Sequence, residues 1–291
     1  MLETPPVMNP KATLLEQAKE IKLLILDIDG TIAGRSNQIS QPVLDAIAAV
    51  QLKGIQIAIA TGRMYKSAQR FHEAVKSTLP LLAYQGAWIQ QPGQPRLRHF
   101  QLQPEVALQV LDYYEQPHLR DRISVHFYIN DRLHLRELSP DSQNYCDRCE
   151  TQPTIVGDFR TILSKDALPT KILAISYDEI LVETCLNDLR DRHNLEDLYL
   201  TTSVPHFLEA AHPESNKGSA VQYLAEEILG LSAHQVMAIG DNCNDLEMLA
   251  YAGIGVAMSG GPSIVQSSAD WVAPHVDEDG VAQVLQQFLL S

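Results

Sequence analysis

The sequence predicts an α/β protein, a doubly wound parallel sheet with an inserted α+β segment. Two features favour this fold class. Apolar runs alternate with helical patterns over residues 21–84 and again after Pro213, which is the rhythm of β-α-β units. Several short runs between these stretches alternate apolar and polar residues, as antiparallel strands do. The predicted organisation is a core in two parts with an insertion between them: residues 1–85, of which 1–20 form a tail; the insertion at 86–211; and residues 212–291.

Three apolar runs in the first core part are typical of strands buried on both faces: residues 21–28, 55–60 and 79–84. A helix is predicted between the first two, because Ser40 can cap it, Pro42 suits its first turn and Gly54 can end it. A second helix is predicted from about residue 64 to 76. This order of elements gives a parallel sheet with right-handed crossovers.

The insertion and the second core part are also predicted to alternate helices and strands. In the insertion we expect strands at 88–89, 97–100, 123–129, 133–136, 171–176, 198–201 and 206–210, and helices at about 104–115, 157–163 and 178–191. In the second core part we expect strands at 235–239, 254–258 and 270–272, and helices after Ser215 or Asn216, at about 244–251, at 263–267 and at the end of the chain.

Three of the predicted buried strands end in polar motifs, DIDGT, TGR and GDNCND. The carboxyl ends of parallel strands lie at one edge of a sheet, where open α/β sheets bind ligands. The side chains brought around this crevice are Asp27, Asp29, Thr61, Asp241 and Asp245. At ~4 Å and an effective dielectric constant of about 20, each pair of carboxylates costs about 4 kcal/mol, so a divalent cation is the simplest compensation. Oxygen ligands alone favour Mg²⁺.

The central hypothesis is that Asp27 is a nucleophile and metal ligand, and that Asp29 handles the proton. Lys217 can neutralise both the nucleophile and a phosphoryl oxygen. Thr61 offers a hydroxyl group, and with Gly62 it offers backbone N–H groups to an anion. These residue types together predict a site for phosphoryl chemistry.

Two structural interpretations compete with this hypothesis. A calcium loop of the D-x-D-G kind fits poorly, because its twelfth position is Gln38 instead of Glu and a strand precedes it. Helix capping explains either Asp241 or Asp245, since acids are favoured at a helix N-terminus. It does not explain both of them together with the acid pair that follows the first strand.

Composition narrows the classes of function. The net charge is −14, from 36 acidic and 22 basic residues, which argues against a nucleic-acid-binding surface. No stretch reaches the ~18–20 apolar residues of a membrane span, and the N-terminal residues lack a secretory signal pattern. We therefore expect a cytoplasmic monomer or small homo-oligomer that acts on a small molecule, with neither nucleic acid nor membrane as partner.

A C-x-x-C motif formed by Cys146 and Cys149 could be half of a zinc site or a redox pair. No second C-x-x-C or H-x-x-x-H follows, and no thioredoxin-like strand leads into it. Two ordinary reduced cysteines are therefore the favoured interpretation, which agrees with a cytoplasmic location.

As an ordered set, DIDGT, ATGR, Lys217 in NKG and GDNCNDLEML resemble the four motifs of the haloacid-dehalogenase-like (HAD) phosphatases. The large insertion between the second and third motifs, with FLEAA, VAM and DEDGVA, is similar to the Cof-type subfamily and its α/β type-2 cap. The resemblance extends from about Lys22 to the C-terminus and implies a Rossmann-like HAD core. One departure is Gln85 in YQGAW, where the family usually has Asn, and it affects a hinge or a substrate-side contact.

The resemblance implies the chemistry of the first two aspartates. Asp27 would attack phosphorus and hold Mg²⁺. Asp29 would protonate the leaving group, then deprotonate water, and give its backbone carbonyl to the metal. Because a second aspartate separates phosphatases from true dehalogenases, the presence of Asp29 disfavours dehalogenation.

The resemblance also implies the residues that bind the phosphate and complete the metal site. Asp241 would be the third metal ligand, with Asp245 in support. The implied phosphate-binding residues are Thr61, Gly62, Lys217 and Asn244.

The expected function is Mg²⁺-dependent hydrolysis of small phosphorylated metabolites, sugar phosphates or similar, through an aspartyl-phosphate intermediate. Two alternatives stay open on the sequence. A phosphotransferase or phosphomutase would use the same intermediate, and an added alcohol or sugar acceptor would then outcompete water. A catalytically silent phosphate-binding protein would show no activity over a broad panel of phosphate esters with metal present.

Overall fold

The computed structural model describes residues 10–164, 166–192 and 197–291 of the chain. Residues 1–9 of the predicted tail lie outside the described part. The strands within these ranges are β1 (Leu23–Leu26), β2 (Gln56–Ile59), β3 (Leu81–Ala83), β4 (Trp88–Gln90), β5 (Arg96–His99), β6 (Ser124–Ile129), β7 (Arg132–Leu135), β8 (Thr154–Ile155), β9 (Pro169–Ile175), β10 (Tyr199–Thr201), β11 (Phe207–Ala211), β12 (Val236–Gly240), β13 (Ile254–Met258) and β14 (Trp271–Ala273). The helices are α1 (Pro10–Ala18), α2 (Gln41–Leu52), α3 (Tyr65–Ala74), α4 (Pro104–Tyr114), α5 (Pro140–Cys149), α6 (Glu179–Arg192), α7 (Lys217–Gln222), α8 (Leu246–Tyr251), α9 (Ser263–Ser268) and α10 (Gly280–Phe288).

The central sheet is parallel and has the strand order β14-β13-β12-β1-β2. Strand β1 is buried along its whole length. Its side chains alternate between two cores: Leu24 and Leu26 belong to one apolar cluster, and Leu23 and Ile25 belong to another. A strand that is apolar on both faces is what helices on both sides of a sheet require, so the predicted doubly wound α/β fold is confirmed.

The first predicted helix has the end signals expected from its sequence. The Ser40 hydroxyl accepts a hydrogen bond from the Val43 N–H (3.4 Å), and Pro42 lies in the first turn. Gly54 follows the helix with φ +84°, a conformation in which a side chain would be strained. The helix thus spans Gln41–Leu52 and delivers the chain to β2.

Strand β3 corrects the prediction that residues 79–84 form a further strand of the parallel sheet. Among the residues that the structure describes, a single parallel bridge, between Ala60 and Leu82, connects β3 to the end of β2. Its ladder is antiparallel with β4, and β4 pairs in turn with β5. The physical cause is the turn after β3, where Tyr84, Gln85 and Gly86 have φ of 53°, 57° and 90° and reverse the chain.

A six-stranded sheet with the order β10-β11-β9-β6-β7-β8 forms the second large unit, together with α4, α5 and α6, and we call this unit the cap. Its pairs are antiparallel except for β7 with β8. Because β4 and β5 pair with β3, pairing crosses the sequence position 85/86 at which a segment boundary was predicted. The boundaries at 85/86 and 211/212 stay predictions.

One helix prediction in the cap was wrong, and one helix of the cap was not predicted. Residues 157–163 form only a short 3₁₀ turn over Phe159–Thr161, because the chain then turns back through an antiparallel bridge between Ser164 and Ala167. Helix α5 was missed because its sequence, PDSQNYCDRC, is largely polar. Ser139, which caps α5 by accepting from Ser142 N–H (3.1 Å), was the available signal. None of the helices described is both long and apolar enough to cross a bilayer.

Candidate active site

The first aspartate of the site follows β1 directly. The backbone N–H of Asp27 donates to the Ile239 carbonyl (3.0 Å), so the ladder with β12 continues to this residue. Its side chain is buried. Gly30, three residues on, has φ +82°, and a Cβ there would lie 2.2 Å from Oδ2 of Asp241. The glycine of DIDGT therefore lets the carboxylate that follows β12 lie directly against the turn after β1.

A buried lysine joins the carboxylates of two strand ends. Lys217 is the first residue of α7, and the Asn216 side chain caps this helix by accepting from Ser219 N–H (2.7 Å). The Lys217 ammonium donates to Oδ1 of Asp27 (2.6 Å) and to Oδ1 of Asp245 (2.5 Å). The capped helix start therefore fixes the lysine where three segments of the chain meet.

Asp245 organises the loop after β12. Its Oδ2 accepts hydrogen bonds from the backbone N–H groups of Asp241 (2.8 Å) and Asn242 (3.0 Å). A Cβ on Gly240 would lie 2.5 Å from the Asp245 carboxyl carbon, so the loop closes tightly around this side chain. One carboxylate thus neutralises Lys217 and also holds Asp241 in place.

Three carboxylates come together at this point. Asp27, Asp241 and Asp245 each offer an oxygen within 4.8 Å of the others. Burial, then the charges of Asp245 and Asp27, raise the pKa of Asp241 to about 9. Burial likewise raises the pKa of Asp27 to about 7, although Lys217 opposes the shift. Hard oxygen donors in an excess of negative charge fit a divalent cation such as Mg²⁺, and Asp27 and Asp241 are the residues placed to hold it.

Asp29 is bound by arginine and stands apart from this cluster. Arg63 Nε donates to its Oδ2 (2.7 Å) and Arg63 Nη2 to its Oδ1 (2.7 Å), while the same Nη2 also reaches Asn37 Oδ1 (2.7 Å). Burial favours the neutral acid, but the hydrogen bonds and charge of Arg63 outweigh burial and hold the pKa of Asp29 below its usual value. The Asp29 side chain is therefore a carboxylate and is not among the clustered candidate ligands, which leaves its backbone carbonyl for the metal role predicted from sequence.

The loop after β2 carries Thr61 and Gly62, but the Thr61 backbone N–H, which was predicted to bind an anion, is already used within the fold. Thr61 N–H donates to Leu82 O (2.8 Å), and its hydroxyl oxygen accepts from the Arg63 N–H (3.2 Å). Thr61, Gly62 and Asn244 all line the same cavity as Asp27, Asp29 and Asp241. The site residues predicted from the sequence are thus brought to one place, with Lys217 and Asp245 directly beneath it.

Gln85, the departure from the family pattern, lies between the core and the cap. Its Oε1 accepts from Asn244 Nδ2 (3.2 Å), and its Nε2 donates to Glu209 Oε2 (3.1 Å). A Cβ on Gly62 would lie 2.5 Å from Nε2 of Gln85. The side chain therefore covers the anion-binding loop and connects it to the cap.

A second buried lysine, which the sequence did not single out, reaches the site from β9. Lys171 Nζ donates to Gly62 O (2.8 Å) and pairs with Glu209 Oε2 (3.1 Å). The other carboxylate oxygen of Glu209 accepts from the Ser203 hydroxyl (2.7 Å). The ring of Tyr128 faces the ammonium at 5.1 Å. The motif FLEAA contained a sequence signal for this ion pair, since its glutamate is Glu209.

The cap closes the site into a cavity of about 70 Å³. Its cap-side wall is formed by Tyr145, Arg148, Cys149, Lys171, Leu173, Ser203, Val204, Phe207 and Glu209. Cys149 is thus a cavity residue and Cys146 is buried one helical turn away on α5, both as free thiols. Neither belongs to the metal-ligand cluster, and the redox interpretation gains no support.

Carboxylates, a buried lysine and a hydroxyl-bearing loop at the strand ends of a doubly wound sheet, closed by a cap, define a hydrolase that acts on phosphate esters. The family model of the haloacid dehalogenase-like hydrolases matches residues 24–285 of the chain. The chain therefore belongs to the haloacid dehalogenase-like hydrolase family, as its motifs predicted.

Relatives agree with this family over nearly the whole chain. YitU of Bacillus subtilis strain 168, named 5-amino-6-(5-phospho-D-ribitylamino)uracil phosphatase, is 27% identical over 273 residues, which cover 91% of this chain and 97% of YitU. YcsE, of the same name and organism, is 28% identical over 271 residues, with 93% and 97% coverage. The crystal structure of a haloacid dehalogenase-like hydrolase from Bacteroides thetaiotaomicron is 25% identical and superposes with a TM-score of 0.78, with 92% and 99% coverage. The predicted enzyme class, a HAD-type phosphatase, is confirmed.

Proposed function

We propose that this protein is a Mg²⁺-dependent phosphomonoesterase that hydrolyses small phosphorylated metabolites through an aspartyl phosphate on Asp27. The observation that supports this most directly is the position of Asp27, buried at the end of β1 and bound by Lys217 at 2.6 Å beside Asp241. A carboxylate that is hydrogen-bonded to a fixed ammonium is oriented for attack, and a cation bound beside it would favour its ionised form. The named activity of YitU and YcsE, on a phosphorylated ribitylamino-uracil, belongs to the same broad class of ester.

The reaction in this proposal has two balanced steps. In the first, an Asp27 carboxylate oxygen forms a bond to phosphorus, the bond from phosphorus to the ester oxygen breaks, and Asp29 gives its proton to the departing oxygen. In the second, a water oxygen attacks phosphorus, Asp29 takes the water proton, and the Asp27 carboxylate is released with inorganic phosphate. The two steps divide a barrier whose lowering requires on the order of 20 kcal/mol.

Charge compensation is the main task of the remaining groups. Bound Mg²⁺, held by Asp27, Asp241 and the Asp29 carbonyl, would supply positive charge to the phosphoryl oxygens. Lys217 neutralises Asp27 in both steps, and its ammonium stays charged because the carboxylates of Asp245 and Asp27 outweigh burial and raise its pKa. Thr61 contributes its hydroxyl group to the phosphoryl group, since its backbone N–H already donates to the Leu82 carbonyl.

Arg63 sets the proton state of Asp29 in this proposal. The bidentate pair holds Asp29 as a carboxylate, which is the form that accepts the proton of water in the second step. The first step needs the protonated acid. A phosphoryl group that draws Arg63 toward its own oxygens would weaken the pair and raise the pKa of Asp29.

The test compares Asp27→Asn with the wild type on an aryl phosphate in the presence of Mg²⁺. We expect kcat to fall by about 10⁴-fold or more, because an amide cannot form the acyl phosphate. Asp45→Asn, an exposed acid on α2, is the matched control and should keep wild-type turnover. Undiminished turnover by Asp27→Asn would refute the assigned nucleophile.

A further inference from the structure

Four cationic side chains surround the active site, and one of them differs from the rest. Arg63 is bound by Asp29, Lys171 by Glu209, and Lys217 by Asp27 and Asp245. Arg148, in the last turn of α5, comes no closer than 3.5 Å to its nearest carboxylate oxygen, Oδ1 of Asp29.

The Arg148 guanidinium therefore has donors to spare. Its carboxylate neighbour already accepts from Arg63 Nη2 at 2.7 Å, which is much shorter than 3.5 Å. Within the described part of the chain, the Arg148 guanidinium makes no hydrogen bond, and its side chain is 52% exposed. A guanidinium that lines a cavity with unused donors is available to a planar anionic group.

Contacts from the core fix the backbone that carries Arg148. Asn37 Nδ2 donates to the Arg148 carbonyl (3.0 Å), and the Ser67 hydroxyl donates to the Cys149 carbonyl (3.2 Å). Arg70 also pairs with Glu150 (3.4 Å). The first two bonds satisfy carbonyls at the C-terminal end of α5. Together with the Arg70–Glu150 pair, they attach the segment that carries Arg148 to the core.

The position of Arg148 relative to Asp29 indicates which part of a substrate it would meet. The departing oxygen must reach the Asp29 carboxyl to receive a proton, so groups attached to that oxygen lie next to Asp29. Arg148 approaches the same carboxylate from the cap side. It is thus beside the leaving group, whereas Thr61 and Lys217 are beside the transferred phosphoryl group.

The cavity wall beside this cation is largely apolar. The cap-side lining includes the apolar or aromatic side chains of Tyr145, Leu173, Val204 and Phe207. Arg148 is therefore the lining cation with free donors that a polar group of the leaving group would meet on this side.

We propose that Arg148 is a specificity-determining residue that binds a carboxylate on the leaving group, so that phosphorylated hydroxy acids are preferred over esters of uncharged alcohols. The inference rests on the proposed phosphatase function. A carboxylate matches the planar guanidinium in shape and charge, and a bidentate pair between them discriminates against an uncharged hydroxyl group.

The experiment uses two esters of nearly equal size, 3-phosphoglycerate and glycerol 3-phosphate, which differ by a carboxylate in place of a hydroxymethyl group. We measure kcat/KM for both with the wild type, Arg148→Gln and Arg148→Lys. The wild type should prefer the acid. Arg148→Gln should lower the ratio of kcat/KM, acid over alcohol, by at least about tenfold, mainly through KM, and Arg148→Lys should retain part of the preference.

Arg190→Gln, an exposed arginine at the end of α6 in the same cap, is the matched control and should keep the wild-type ratio. An unchanged ratio in Arg148→Gln, or a wild type that prefers the alcohol ester, overturns the inference. An equal loss on both esters together with weaker inhibition by inorganic phosphate also overturns it, because Arg148 would then bind the transferred group. Turnover of an aryl phosphate reports separately on the proposed function. Were that turnover absent, calorimetric binding of the two esters to the same variants would decide the role of Arg148.

Discussion

Two buried lysines, 46 positions apart in the chain, meet carboxylates within hydrogen-bond distance of the active-site loops. Lys217 lies in the core and is shared by Asp27 and Asp245, with Asp241 close by. Lys171 lies in the cap and has one carboxylate, Glu209. One cluster has more acids than bases, and the other is balanced.

The difference in balance separates a site that needs a ligand from a site that is complete. Around Lys171 the remaining partners are neutral: the Gly62 carbonyl, the Ser203 hydroxyl and amide of Gln85 on Glu209, and an aromatic ring. Around Lys217, burial and then the charges of Asp245 and Asp27 raise the pKa of Asp241, as is typical of carboxylates placed to hold a cation. Buried ionic groups point to chemistry when their charges do not cancel, and to structure when they do.

Removal of the core lysine should give the largest effect. Lys217→Met leaves Asp27, Asp241 and Asp245 without their ammonium, so we expect kcat to fall by about 10³-fold, and the free energy of unfolding in metal-free buffer to fall by about 3–5 kcal/mol. Added Mg²⁺ should restore part of the stability. Lys19→Met, on the exposed face after α1, should change neither quantity. Wild-type turnover by Lys217→Met would contradict the assigned role.

Removal of the cap lysine should affect stability without metal dependence. Lys171→Met strands the buried Glu209 carboxylate, and we expect a loss of about 3 kcal/mol in the free energy of unfolding. A second change, Glu209→Gln, should recover much of it, since the stranded charge is removed. Chemical denaturation with and without Mg²⁺ measures both. If Mg²⁺ raised the free energy of unfolding of Lys171→Met more than that of the wild type, the two clusters would not be independent.

Metal binding offers a milder test of the same contrast. At a Mg²⁺ concentration 100 times Kd, the folded protein should gain about 2.7 kcal/mol, observed as a rise in Tm. Asp241→Asn should abolish most of this gain, whereas Glu209→Gln should keep it. The comparison fails if both variants respond to Mg²⁺ alike.

The last effect is spread over several pH units and concerns His126, a buried group near Lys171 that contacts the Ser124 and Ser142 hydroxyl groups. Burial, and then the charge of Lys171, lower the pKa of His126 from 6.5 to about 3. The unfolded chain binds a proton between these values and the folded protein does not, so the stability present above pH 6.5 is lost as pH falls, by about 1.4 kcal/mol per pH unit. His126→Gln removes one protonation site, so the slope of the free energy of unfolding against pH should fall by about 1.4 kcal/mol per pH unit. His118→Gln, an exposed histidine of the same cap, should leave it unchanged.

The residues of the predicted core site come together in the structure because they lie at strand ends, and their chemical roles stay predictions. An apolar strand followed by Asp27 and Asp29 states both the position and the charge of those side chains, and parallel topology brings Asp241 to the same edge. Arg63 was visible in TGR, but its bidentate pairing with Asp29 depends on a loop conformation that no periodicity encodes.

The cap was predicted less well from the sequence, because the cap residues near the site lie on the faces of strands and helices and not at strand ends. Lys171 is the one charged residue in a strand of seven buried residues. Glu209 is paired with Leu173, two positions further along β9, so only the register with β11 shows that its carboxylate reaches the ammonium. Arg148 was hidden in a helix whose polar sequence gives no periodic apolar signal. Local sequence patterns indicate which residues are buried, whereas pairing between distant strands determines which residues they contact.

The hydrogen bond from Lys171 to the Gly62 carbonyl means that the loop after β2 depends on a donor from a distant stretch of the chain. The two halves are for this reason not interchangeable modules. A shortened protein without residues 86–211 would retain Asp27, Asp241 and Lys217, and we expect it to bind Mg²⁺ if it folds. Its loop after β2 would lack the hydrogen bond from Lys171. We therefore expect the insertion of a relative to be a working replacement only where it supplies a donor to the Gly62 carbonyl.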